Sequence, residues 1–146
     1  MLSMRSLKAV VAGSVFILFA FFMLGLTYIF IAVGYNSLAS NFPFLNDIAG
    51  LFRYLIGIPV FILTMFVGGY ITASIANKAT NIKVWLHCFA VGIITVGSMM
   101  YSAMEYSTLT LTGIVVIILA LSATSAGGFY WLRTIKPGSI NETLSS

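Results

Sequence analysis

Between Ala9 and Gly34 the chain reads AVVAGSVFILFAFFMLGLTYIFIAVG, without a single Asp, Glu, Lys or Arg. Roughly 20 apolar residues, rising about 1.5 Å each, cross a hydrocarbon core of about 30 Å, so this run predicts one membrane-spanning helix. Arg5 and Lys8 precede it and give it the outline of a secretory signal. A cleavable signal has an apolar core of only about 7–15 residues, and this one is far longer, so it reads as an uncleaved signal anchor. A cut after Ala39, with Ser37 two positions before it, would follow too long an apolar stretch.

Working outward from that run, the charged side chains stand at Arg5, Lys8, Asp47, Arg53, Lys78, Lys83, Glu105, Arg133, Lys136 and Glu142. They leave four internal charge-free stretches, 9–46, 54–77, 84–104 and 106–132, of 38, 24, 21 and 27 residues. Each is long enough for one spanning helix and none holds two. The expected fold is therefore all-α, an integral membrane four-helix bundle forming a single domain over 1–146. Its spans are expected at about 9–34, 54–76, 84–104 and 109–132. Residues 35–53 form the longest polar connection, and 133–146 a polar tail stopped from continuing the last helix by Pro137 and Gly138. Asn46 followed by Asp47 is a helix start, with Leu45, Ile48, Ala49 and Phe52 at three-to-four spacing. Two arrangements satisfy it: a short helix lying on the membrane surface, or an early first turn of span two. Pro59 sits near the start of the second span, where a lost backbone bond is mild, so no transporter-style broken helix is expected.

Basic residues flanking short loops stay on the cytoplasmic side. Arg5, Lys8, Lys78, Lys83, Arg133 and Lys136 fall at one end of the four spans and Arg53 at the other, so both termini are expected in the cytoplasm, with 35–53 outside it. Trp85 and Trp131 lie beside the basic ends, while Tyr35, Tyr54, Tyr101 and Tyr106 mark the opposite interface. Asn141-Glu142-Thr143 matches a glycosylation acceptor, but a cytoplasmic tail never meets that machinery.

Composition closes many functional classes. The chain of 146 residues is 60% hydrophobic and 7% charged, with a mean hydropathy of +1.08, which sets it apart from soluble globules. The net charge of +4 does not point to nucleic acid, because the cations sit at span ends and not along one face. His87 and Cys88 are the only residues of their kinds, too few for a zinc site, an iron–sulfur cluster or an internal disulfide. No Ser-His-Asp set, acid pair or Gly-rich phosphate loop can be assembled. No enzyme activity and no cofactor are expected.

Helices in lipid associate closely where small side chains let backbones approach. Gly68, Thr72 and Ala76 recur every four residues in span two, with Gly69 and Ala73 beside them; in span four Ala123 pairs with Gly127 and Thr124 with Gly128. These stripes are the expected packing interface, either within the bundle or, in part, against another subunit. Gly68-Gly69-Tyr70 and Gly127-Gly128-Phe129 repeat a Gly-Gly-aromatic pattern and hint at a duplicated hairpin.

The run Gly68-Gly69-Tyr70-Ile71-Thr72-Ala73-Ser74-Ile75-Ala76, a short basic turn, and then Leu86-His87-Cys88-Phe89-Ala90-Val91-Gly92 resemble a pattern in uncharacterised four-span bacterial membrane proteins of unknown function. Those proteins pair a Gly-Gly-aromatic motif late in span two with Leu-His-Gly in span three and a glycine pair in span four. Cys88 here replaces the glycine after the histidine. The resemblance implies a small multi-pass protein of the bacterial inner membrane, and brings no activity with it.

Two residues are candidates for proton or ion contact. His87 titrates near neutral pH and lies one turn inside span three, where an ionisable group is a functional candidate; the structural alternative is a bond to a carbonyl or interfacial water. Glu105 stands at the far end of that span, after Met99, Met100 and Met104, able to guide a cation or meet a partner's arginine, or simply to solvate a turn. The three methionines could offer thioethers to Cu(I) but read as flexible apolar filling. Hydroxyls within the spans, such as Thr64, Thr72 and Thr124, can bond to their own helix backbone and need no channel. No carboxylate or arginine lies at mid-span, so a monomeric pump is not expected. The expected function is a non-enzymatic accessory or scaffold subunit whose partners are the lipid bilayer and other membrane subunits or copies of itself. The alternative is a small oligomeric transporter or channel.

Overall fold

The computed structural model describes residues 4–42, 44–76, 81–104 and 111–135, and every regular element among them is an α-helix. The helices are α1 (Met4–Ala39), α2 (Phe44–Ile75), α3 (Asn81–Met104) and α4 (Leu111–Ile135). All four are long and apolar enough to cross a membrane.

The first two exceed what a crossing needs. α1 has 36 residues and α2 has 32, which at about 1.5 Å per residue is about 54 Å and about 48 Å. They are this long because the polar connection is itself mostly helical. Asn36 and Ser37 cost only tenths of a kcal/mol inside a helix, and no proline interrupts the chain before Pro43, so α1 runs on to Ala39. Of the two arrangements open at Asn46-Asp47, the structure has the early start: α2 is continuous from Phe44, with no separate surface helix. Pro59 is consequently mid-helix, where its ring removes the bond to the Leu55 carbonyl without ending the helix.

The bend between α1 and α2 is stitched locally. The Asn41 and Phe42 amides both donate to the Leu38 carbonyl, at 3.0 and 3.1 Å. Ser40 Oγ donates to the Ser37 carbonyl at 2.7 Å. The Tyr35 hydroxyl donates to the Leu45 carbonyl, tying the end of one helix to the start of the next.

α2 touches every other helix, most extensively α4; α1 and α4 both pack on α2 and α3 and hardly meet each other. The core lies toward the end that carries Lys8, Lys83 and Arg133. One apolar cluster there joins Ala9, Ala73, Ala76, Val84, Cys88, Trp131 and Leu132. A second, deeper cluster joins Ile17, Met65, Val91, Val96, Ala120 and Ala123. Away from this end packing thins: residues 25–31 of α1, nearly two turns, are exposed on every side.

Candidate functional site

α2 and α4 cross backbone against backbone. A Cβ on Gly69 would lie 2.0 Å from the Thr124 carbonyl oxygen, and one on Gly127 would lie 2.0 Å from the Phe66 carbonyl oxygen. The obstacles are backbone atoms that cannot rotate away, so only glycine permits this approach. Tyr130 of α4 closes the crossing against Phe66 and Tyr70, with ring centroids 5.8 and 6.5 Å away.

The neighbouring small residues serve other seams. Gly68 turns to α1, where a Cβ would meet the Ile17 side chain at 2.3 Å, and Thr72 Oγ1 would lie 1.9 Å from a Cβ on Gly13. Gly128 turns to α3, 2.5 Å in the same sense from Cys88 Sγ. Thus Gly68, Gly69, Thr72, Ala73, Ala76, Ala123, Gly127 and Gly128 are all buried, and the glycines divide among three helix pairs. Gly13, Ile17, Gly92 and Cys88 belong to the same interlock, although the small-residue spacing in spans two and four does not point to them. The i, i+4 spacing of Ala9 and Gly13 was the available signal for α1.

Between the two apolar clusters lies a polar layer. Ser14 falls between Ala9 and Ile17 on α1, Thr72 between Met65 and Ala76 on α2, and His87 between Val84 and Val91 on α3. Thr72 Oγ1 donates to the Gly68 carbonyl at 2.8 Å, and Thr124 Oγ1 to that of Ala120 at 2.9 Å. Thr64 likewise donates to Val60, at 2.8 Å. These hydroxyls are spent on their own helices.

His87 is different. It is only 7% exposed. Its Nδ1 bonds the Lys83 carbonyl; a carbonyl can only accept, so Nδ1 carries a hydrogen. Nε2 is buried without a partner, as are Ser14 Oγ and Thr95 Oγ1. Glu105, the second candidate, lies outside the described residues, so nothing places it near His87. Among the described residues no three His, Cys, Asp or Glu side chains gather to hold a metal ion.

Compared with protein-family models, curated proteins and solved structures, the chain matches none of them.

Proposed function

We propose that the protein is a non-enzymatic, multi-pass protein of the bacterial inner membrane with both termini cytoplasmic, an accessory or scaffold subunit that works by lateral association. The observation that carries this reading is the division of packing surfaces. The surfaces that carry Gly13, Gly68, Gly69, Gly92, Gly127 and Gly128 are consumed inside the chain, whereas α1 from Gly25 to Ile31 is bare around its whole circumference, with Phe30 77% exposed. A helix that gains nothing from its own chain over nearly two turns is positioned there by what lies beside it in the membrane. The absence of long loops between the helices leaves the spans as the place where partners act. The six cations at one end support the orientation.

Site-specific photocrosslinking in intact membranes tests this. A photoreactive residue at Phe30 gives a discrete adduct with one membrane protein or a second copy, while the same group at Phe89 on α3 does not. If Phe30 captures only lipid, the association reading is lost.

A second reading is kept by one observation, the buried and unpartnered Nε2 of His87 on α3. In a small oligomeric transporter or channel that ring nitrogen would meet the permeating solute near the cytoplasmic mouth.

A further inference from the structure

We propose that the outer part of the α1–α2 hairpin is a hinged arm, which swings as one body about Gly25 on α1 and Gly57 to Pro59 on α2 while the rest of the bundle stays locked. The arm carries the bare segment of α1 on which the association reading rests, but its motion needs no partner.

The core ends early on two of the four helices. Its outermost members are Phe21 on α1, Phe61 on α2, Met99 and Met100 on α3 and Ile117 on α4. Among the described residues, α3 continues past that level for four residues and α4 for six, whereas α1 continues for 18 and α2 for 17. At about 1.5 Å per residue, α1 and α2 therefore project about 26 Å beyond their last core contact, against about 6 and about 9 Å for the other two.

Contact between the two long helices stops at the same place. Phe21 and Phe61 meet with ring centroids 5.6 Å apart. One turn further out stand Gly25 and Gly57, each four residues from its ring and so on the face that carries it. Neither has anything within 4 Å of a Cβ. Residues 25–31 of α1 and 54–59 of α2 are exposed at every position, so neither helix covers the other over this length. Further out they are joined again: Ala39 is buried, and the Tyr35 hydroxyl donates to the Leu45 carbonyl. With the bonds of the bend from Asn41 and Phe42 to Leu38, the tip is one stitched body.

Both helices are soft in the unstitched length. Glycine is the poorest helix former after proline, and Pro59 withholds the bond to the Leu55 carbonyl. A soft point on one helix alone would be braced by its neighbour; here Gly25 and Gly57 lie one turn beyond the same pair of rings, so both helices yield at one level. The inner bundle has no such freedom, since Gly68 interlocks with Ile17, Gly69 with Thr124 and Gly127 with Phe66. Segments with few buried contacts move at least cost, and a hinge concentrates the change at a few residues.

Pulsed electron spin resonance on frozen proteoliposomes reads the arm directly, with pairs of spin-labelled cysteines in the full chain carrying Cys88→Ala. Asn41→Cys with Ile94→Cys joins the tip to α3, Val15→Cys with Ile94→Cys joins the inner part of α1 to α3, and Asn36→Cys with Leu51→Cys lies within the arm; all five side chains are exposed. The tip distance is expected to spread at least about twice as widely as the other two, as for a collective hinge motion trapped by freezing. Gly25→Ala, Gly57→Ala and Pro59→Ala together stiffen both helices and bring the tip distance to the width of the inner one.

A tip distance as narrow as the inner one in the unsubstituted hinge overturns the arm and leaves the association reading untouched. So does a broad tip distance that survives the three alanines, since the looseness would then reside elsewhere. A broad distance within the arm means a fraying hairpin, and a broad inner distance a loose bundle; each overturns it as well.

Discussion

Gly69 and Thr124 meet backbone to backbone: a methyl group on Gly69 would stand 2.0 Å from the Thr124 carbonyl oxygen and 2.7 Å from its carbon. One turn along, Gly127 meets the Phe66 carbonyl in the reciprocal sense. Two glycines on two helices thus set the separation of α2 and α4, the pair with the most extensive contact in the bundle.

Alanine at either position forces the helices apart. Overpacking of this kind costs about 1–3 kcal/mol, and Gly69→Ala and Gly127→Ala should each lower the unfolding midpoint in detergent accordingly. Once one substitution has widened the crossing the second has less to displace, so the double variant loses less than the sum. Gly57→Ala is the control. Nothing lies within 4 Å of a Cβ there, and a helical glycine replaced by alanine gains about 0.4–1 kcal/mol. Equal behaviour of Gly57→Ala and Gly69→Ala would remove the crossing from the account.

Gly68 obeys a different rule, because its obstacle is a side chain. A Cβ there meets Ile17 Cγ1 and Cδ1 at 2.3 and 2.4 Å. Gly68→Ala and Ile17→Ala are each destabilising alone, and together they recover about 1 kcal/mol of the summed loss. A double-mutant cycle in chemical denaturation checks this, and strict additivity would mean that α1 does not pack where the structure has it.

The buried hydroxyls divide into bonded and unbonded. Thr95 Oγ1 has no partner, whereas Thr124 Oγ1 bonds Ala120. Valine, nearly the same shape, should leave stability unchanged or raise it by up to about 1 kcal/mol at Thr95 and lower it by about 0.5–1.5 kcal/mol at Thr124. The same unfolding assay ranks the two, and a reversed order contradicts the assignment.

Cys88 is 1% exposed, with Sγ 3.5 Å from the Gly69 carbonyl oxygen and packed on Gly128. It should resist maleimide in the folded protein and react once the chain is unfolded, while Asn41→Cys, at the exposed bend, reacts at once. Rapid labelling of Cys88 in native membranes would show that α2, α3 and α4 do not interlock here.

The number and order of the helices were legible because charge is costly in hydrocarbon: each of the four charge-free stretches holds the apolar part of one helix. Their ends were less so. Asn36 and Ser37 are polar without being helix breakers, so α1 runs on to Ala39, about five residues past the apolar run that ends at Gly34. The small residues were visible as spacing, but not their directions. Gly68 and Gly69 are adjacent and therefore about 100° apart on a helix, so one reaches α1 and the other α4, a division that only the arrangement of neighbours reveals. Gly13 has only Ala9 at four-residue spacing before it and large Ile17 after it, too short a stripe to mark a seam. The tautomer of His87 depends on a bond to Lys83 four residues earlier, which spacing permits and cannot establish.

The central proposition is that this chain acts through what it touches and not by moving a solute itself. Purified protein alone, reconstituted in liposomes and assayed for proton and cation flux with and without a pH gradient, tests it most directly. Flux equal to that of empty liposomes is the predicted result; flux above that level that disappears in His87→Ala would contradict the account and establish the transporter reading in its place.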